Sequence, residues 1–474
     1  MDRRELLKGM TASSIWAGTS KFVRSSVSDF PSRRPRQSER KFVSHSVEET
    51  IQRVKAKIKD PHLAWMFENC YPNTLDTTVR VSVVDGKPDT FIITGDIDAM
   101  WLRDSSCQVW PYLPLAKADD DLRRMFCGLI ARQSRCILID PYANAFLFDP
   151  HTTKPLSWAV DDLTDMRAGV AERKWEIDSL CFCIRLAHGY WRATGDSSPF
   201  TEEWARAMRL VVSTFREQQR KDGRGSYHFQ RKTEVPTDTL MLGGYGNPAQ
   251  PVGLIYSMFR PSDDACMYSL SVPENMFAAV SLRGLSQMAD QVLRDATFAN
   301  ACRSLALEIE SALSEYGRVR GGRDDEIWAY EVDGFGNQLL MDDANLPSLL
   351  GLPYLGCCSA DDPIYRRTRV RILNPANPYF FKGTAAEGVG GPHIGLDMIW
   401  PMSIIMRALT SSDPDEMRQC LRWLNTTDAR TGFMHEAFQK DNPAQFTRPW
   451  FAWANSLFGE LIVKLSEERA ELLA

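Results

Sequence analysis

The sequence has no CxxC pair, no run of lysine and arginine, no coiled-coil heptads and no Walker motif, and beyond about residue 45 it has no Gly/Ser-rich or Pro-rich linker. Each absence excludes something. Without CxxC spacing, zinc-ribbon and thioredoxin chemistry fall away. The eleven cysteines, an odd number scattered from Cys70 to Cys420, read as reduced core residues. Cys181 and Cys183 lie two apart in an apolar helix, so they point to different faces and are poorly placed to share a metal. A net charge of −5 gives no electrostatic basis for binding nucleic acid. With no linker to divide it, a chain of 474 residues reads as one large architecture. The apolar stretch near the start, Met10 to Gly18, is too short to cross a bilayer, so no stable membrane insertion is expected.

At the amino terminus, Arg3-Arg4 is followed by a hydrophobic position at Leu6 and by Lys8, an arrangement that resembles a twin-arginine export signal. Pro31 to Arg40 is rich in Ser, Arg and Pro. Residues 1–44 are therefore expected to be an export-signal-like segment and flexible spacer, with residues 45–474 forming one domain. A periplasmic or secreted location follows from that reading. A cytoplasmic protein with a basic tail is the alternative. Substrates of that export route cross already folded, which is compatible with many unpaired cysteines.

From Ser46 onward the chain reads as helix after helix. Val47, Ile51, Val54 and Ile58 recur at helical spacing, with Ser46 as the expected N-cap. Further helices are predicted over 119–139, 174–194, 202–220, 271–286, 296–316, 397–409, 413–425 and 450–465. Two strand-like runs, Thr78 to Val84 and Thr90 to Thr94, flank Asp85-Gly86 and read as a hairpin. The expected fold is all-α, an (α/α)6 barrel with a small β-hairpin insertion near the N-terminus and with function confined to the connections.

Three connections carry candidate chemistry. Asp96, Asp98 and Asp104 are interleaved with Trp101 and Arg103; such acids can bind vicinal hydroxyls while the tryptophan walls a pocket. A salt-bridge knot is the competing reading. A calcium loop fits poorly, because Trp101 stands where the loop needs glycine and no glutamate follows at the required spacing. The second connection, Arg260-Pro261-Ser262-Asp263-Asp264, reads as a helix opening with Ser262 as cap. The third, Met434-His435-Glu436, lies among aromatics, and an irregular stretch before it offers Glu387 and His393. Glu387 and His393 would need further histidines to bind zinc, and only His435 is a candidate, so no metal site is expected. Glu176 and Asp178 open a helix and either face a cleft or serve the helix dipole. Two carboxylates brought from distant loops to one polar cleft are the minimum equipment of a glycoside hydrolase. Thirteen tryptophans, 13 tyrosines and 23 phenylalanines permit stacking on sugar faces.

Together these motifs resemble glycoside hydrolase family 125, from Thr94-Gly95-Asp96 to Asp104-Ser105, through Phe259 to Ala265 and Glu387-Gly388 with Gly391-Pro392-His393, to Met434-His435-Glu436. The resemblance covers the chain from about residue 45 onward. It implies an exo-acting enzyme that removes terminal non-reducing α-1,6-linked mannose from a mannose-containing oligosaccharide or glycan, with inversion and without metal or cofactor. The catalytic residues it implies are Glu436 as base and one of Asp263 and Asp264 as acid, Asp263 preferred. Asp96, Asp98, Trp101, Arg103, Asp104, Arg260, Glu387, His393 and His435 are the expected substrate-binding residues. Another hydrolase or a polysaccharide lyase of the same fold, or a mannoside-binding protein without turnover, are the alternatives.

Overall fold

A computed structural model describes residues 30–320 and 325–474. The twin-arginine-like segment falls within residues 1–29 and lies outside the described residues. Residues 30–44, expected to be spacer, pack on the body. Trp65 Nε1 donates to the Pro31 carbonyl at 2.7 Å, and Arg34 reaches Asp76 at 2.7 Å and Glu48 at 2.9 Å.

Thirteen α-helices are found among the described residues. They are α1 (His45–Lys55), α2 (Pro61–Cys70), α3 (Asn73–Thr77), α4 (Leu102–Val109), α5 (Asp120–Ile139), α6 (Ile177–Thr194), α7 (Glu202–Gln218), α8 (Val272–Gln291), α9 (Ala296–Tyr316), α10 (Pro363–Ile372), α11 (Pro401–Leu409), α12 (Pro414–Thr426) and α13 (Ala452–Glu468). Several starts share one chemistry. In Asp60-Pro61, Asp362-Pro363 and Asp413-Pro414 the aspartate accepts first-turn N–H groups, while the proline, lacking an N–H of its own, is pre-set for the helix. The first helix begins two residues earlier than expected. Ser44, not Ser46, caps it, because Ser44 Oγ accepts from Val47 N and is itself held by Asp119.

The hairpin forms as expected. Strands β1 (Val79–Val84) and β2 (Lys87–Ile92) pair antiparallel through Asp85-Gly86, both at positive φ (50° and 75°), the two-residue turn whose twist matches the strands. The remaining sheets are pieces of two or three very short strands in the connections.

The packing has an inside and an outside. Helices α8, α6, α4, α13 and α11 form a chain of neighbours, largely buried, while α9, α7, α5, α12 and α2 cover them with one face in solvent. This arrangement sets the site. Arg103 and Asp104 lie in the first turn of α4, Glu176 is the N-cap residue of α6, Trp400 that of α11, and Trp453 lies in the first turn of α13. The starts of the inner helices thus gather at one end. Among the described residues no helix is long and apolar enough to cross a membrane.

Candidate active site

The acid-bearing connection is a tight hairpin, where the sequence pattern predicts a helix opening. Phe259 bridges Ala265, Arg260 N donates to Asp264 O at 2.7 Å, and Asp263 N donates to Arg260 O at 2.9 Å. The loop is therefore Pro261-Ser262-Asp263, a turn followed by one left-handed residue, a place usually given to glycine. Here it is Asp263, at φ 70°. Aspartate tolerates this region better than most residues, and backbone held there is characteristic of functional sites. Lys174 Nζ fastens the loop by donating to the Asp263 carbonyl at 2.7 Å, and Arg260 fastens it to Glu331 at 2.6 Å.

The two adjacent aspartates are separated by this geometry. Asp263 faces a cleft of about 380 Å³, also lined by Trp101, Trp400, Phe451, Trp453, Asn345 and Glu436. Asp264 is buried behind it, accepting from Ser262 Oγ at 3.1 Å with His393 Nδ1 at 3.8 Å. Burial pushes the Asp264 carboxyl up, but His393, Thr237 and Arg260 outweigh it and hold the group below its ordinary value.

Glu436 arrives from the far side of the sequence. The loop carrying it is tied to α13, since Met434 N donates to Asn455 Oδ1 at 2.8 Å and Phe451 N to Met434 O at 2.8 Å. Thr447 Oγ1 donates to Glu436 Oε2 at 2.9 Å, and Arg448 Nε lies 3.5 Å from Oε1. His435 points away from the cleft. It is buried, stacks on Phe446 with ring centroids 4.0 Å apart, and has Nδ1 3.0 Å from the Arg448 carbonyl. Burial pulls this ring below its ordinary pKa.

Of the other expected residues, Trp101, Arg103, Asp104 and His393 line the cleft. Asp96 is half-exposed, with Arg448 Nη1 3.5 Å away. Three fall elsewhere. Asp98 is on the surface, paired with Arg80 at 2.7 Å; Glu387 is held by Arg407 at 2.9 Å and Lys382 at 3.1 Å; Arg260 anchors the hairpin. Residue-by-residue reading of the sequence assigned no role to Asn345, Trp400, Phe451 or Trp453. The three aromatics carry a signal, since each lies at the start of a helix, but Asn345 carries none.

Beneath the cleft, Arg103 holds Glu176 at 2.7 Å and Asp178 at 3.1 Å, so the acids opening α6 do face inward. Burial pushes Asp178 up to about 6 and Asp104 up to about 6, with Arg103 opposing in both. Among the described residues no group of three or more His, Cys, Asp or Glu is arranged to hold a metal ion; these acids converge on a guanidinium instead. A larger groove, about 1020 Å³ beside Arg220, Tyr245 and Tyr256, has no carboxylate in its lining and so lacks the groups for acid–base chemistry.

Comparison with known proteins bears directly on this cleft. The family model of the metal-independent α-mannosidases (GH125) matches residues 60–463. The chain belongs to that family. This α-mannosidase is 44% identical over 460 residues to the Meiotically up-regulated gene 157 protein of Schizosaccharomyces pombe (strain 972 / ATCC 24843), covering 94% of this chain and 90% of the relative. It is also similar to a Streptococcus pneumoniae metal-independent α-mannosidase in a non-productive substrate complex with α-1,6-mannobiose. That likeness has a TM-score of 0.86 and 39% identity, over 90% of this chain and 100% of the other. A bacterial glucoamylase complexed with acarbose shares the fold alone, at TM-score 0.51 and 12% identity, over 86% of this chain and 57% of that one. The α-mannosidase is thus a glycoside hydrolase with a helix-rich glycosidase fold.

Proposed function

We propose that this α-mannosidase removes terminal, non-reducing α-1,6-linked mannose from an oligosaccharide with inversion, Asp263 acting as general acid and Glu436 as general base. One observation carries the reading. Asp263 and Glu436, from connections far apart in the chain, line the same aromatic-walled cleft, while Asp264 and His435 do not. The protonated Asp263 gives its proton to the glycosidic oxygen as the C1–O bond breaks and that electron pair goes to the oxygen. A water on the opposite face of the ring forms the new bond to C1 and loses its proton to Glu436, which Thr447 and Arg448 orient. Inverting enzymes keep the two carboxyls about 6.5–9.5 Å apart to admit that water. Trp101, Trp400, Phe451 and Trp453 supply apolar faces for the sugar, and Asn345, Asp104 and His393 supply polar contacts to its hydroxyls.

The linkage is supported by the pneumococcal relative, which holds α-1,6-mannobiose. We further read the inner chain of α8, α6, α4, α13 and α11 as five members of a closed (α/α)6 ring, with residues 346–356 completing it. A panel of α-1,2-, α-1,3- and α-1,6-mannobiose tests the substrate. Release of mannose from the α-1,6 isomer at least about tenfold faster than from the others is expected, unchanged by chelator; equal rates on all three would contradict the assignment.

A further inference from the structure

The proposed acid sits on a buried cluster that the reaction as written does not use. Arg103 is 3% exposed and faces four carboxyls. Its Nη1 is 2.7 Å from Glu176 and 3.1 Å from Asp178, its Nη2 3.4 Å from Asp263, and its Nε 3.7 Å from Asp104. All four acids are less than a tenth exposed. Were every one ionised, a single guanidinium would face four negative charges in a space from which water is largely excluded, an arrangement proteins avoid by retaining protons. The surroundings carry further acids. Glu172 is occupied by Arg231 at 3.0 Å, Trp158 and Asn144, while Glu274 on α8 accepts from Ser257 and from Ile177 N and is itself pushed well above its ordinary value by burial and by Asp178. Lys174 is committed to Asp238 and to the Asp263 carbonyl. The positive charge of Arg448 also favours the ionised form of Asp104.

Glu176 is the member set against the acid. It is fully buried at the start of α6, its Oε2 accepts from Ser179 Oγ at 3.0 Å, its Oε1 lies 3.4 Å from Asn144 Nδ2, and the guanidinium it meets at 2.7 Å is the one whose other terminal nitrogen lies 3.4 Å from Asp263. Three contacts therefore fix the Glu176 carboxyl, and Arg103 spans from it to the Asp263 carboxyl at the edge of the cleft. We propose that Glu176 is a positioning residue for the proton donor, sharing one proton with Asp263 so that Asp263 meets the leaving oxygen as an acid, with Arg103 holding the two carboxyls together. Burial and the neighbouring Asp263 push Glu176 well above its ordinary value against the pull of Arg103, as a shared proton requires. In turnover the pair loses that proton to the leaving oxygen while Glu436 gains one from water. Exchange with solvent through the emptied cleft restores both groups, so the net reaction consumes one water.

This inference rests on Asp263 being the general acid, and the test separates the two. The pH dependence of kcat/KM is measured for wild type, Glu176→Gln, Glu176→Asp and Asp263→Asn on α-1,6-mannobiose and on 2,4-dinitrophenyl α-mannoside, whose leaving group needs no proton. In Glu176→Gln the negative charge facing Arg103 is removed, so the Asp263 carboxyl ionises more readily. The basic limb on mannobiose is expected to move at least about one unit towards acid, with a loss of about tenfold or more at pH 7 and under about threefold on the activated mannoside. Glu176→Asp keeps an ionisable partner and is expected to hold the limb near its wild-type position. Equal losses of Glu176→Gln on both substrates with an unmoved limb would show a structural role only and overturn the proposal, as would no loss on either. Should Asp263→Asn lose activity equally on both substrates, the acid assignment itself fails. Should Glu176→Gln not fold, carboxyl 13C NMR of the wild type reads the same proton: two linked titration steps for the pair are expected, and two independent ordinary titrations overturn it.

Discussion

At the scale of single residues, the adjacent aspartates show how far burial and orientation separate identical side chains. Asp263 occupies the left-handed position of a three-residue loop and faces the cleft, while Asp264, one residue on, is sealed behind His393 and held ionised. The sequence motif brings both acids to the neighbourhood but carries no backbone angle, so it cannot rank them. The turn ranks them, because a helix opening would have offered both to the dipole, whereas the hairpin alternates them. His435 and Glu436 repeat the pattern, one ring stacked inward on Phe446 and one carboxyl towards the cleft. Replacing Glu436 by Gln keeps the Thr447 contact and removes the proton acceptor. A loss in kcat of about 10²–10⁴-fold is expected on mannobiose and on an activated aryl mannoside alike, since activating water is needed for both. A rate within about threefold of wild type on either substrate would exclude Glu436 as base.

At the scale of elements, helix starts carry polar groups and helix bodies carry packing. The first turn of α4 holds Asp104, pushed up to about 6 by burial, with the charge of Asp263 adding and Arg103 opposing. The unfolded carboxyl titrates near about 4. A folded value above the unfolded one means that the protonated acid is favoured in the fold, so its stabilising contribution is present below about pH 4 and is lost as pH rises to about 6. The melting temperature of Asp104→Asn relative to wild type is therefore expected to increase between pH 4 and 6 and then level off; a difference independent of pH would contradict the burial argument. The hairpin depends on packing. Arg132 of α5 grips Asp89 of β2 at 2.6 Å, and the strand lies so close that a Cβ on Gly128 would sit 2.5 Å from Thr90 Oγ1 and 2.9 Å from the Asp89 backbone. In an open helix Gly→Ala stabilises by up to about 1 kcal/mol. Gly128→Ala is expected to do the reverse and lower the melting temperature by a few degrees, as thermal unfolding will register.

At the scale of the whole molecule, helical periodicity made most of the helices legible, and the Asp85-Gly86 turn made the hairpin so. Boundaries shifted where a cap competed, as at Ser44 and Ser46, or where a proline reset the start, as at Pro401. The cleft was legible where a motif held several functional residues, as between Thr94 and Asp104. It was illegible at Asn345, whose position depends on buried Asp342 accepting from Leu349 N at 2.8 Å and Leu350 N at 2.9 Å to fold residues 342–350 back on themselves. Glu387 and Asp98 were expected in the cleft as members of motifs that otherwise supply it, but each is paired with an arginine outside it. Convergence of five helix starts on one end of the molecule is a property of the packed chain, and it brings the acid-bearing hairpin and the Glu436 loop to a common cleft. The most direct test of that convergence as a catalytic arrangement is the anomer first released from α-1,6-mannobiose, followed by proton NMR before mutarotation. An acid and a water-activating base on opposite faces of the sugar predict β-mannose as the initial product; α-mannose, or mannobiose left intact, would contradict the account.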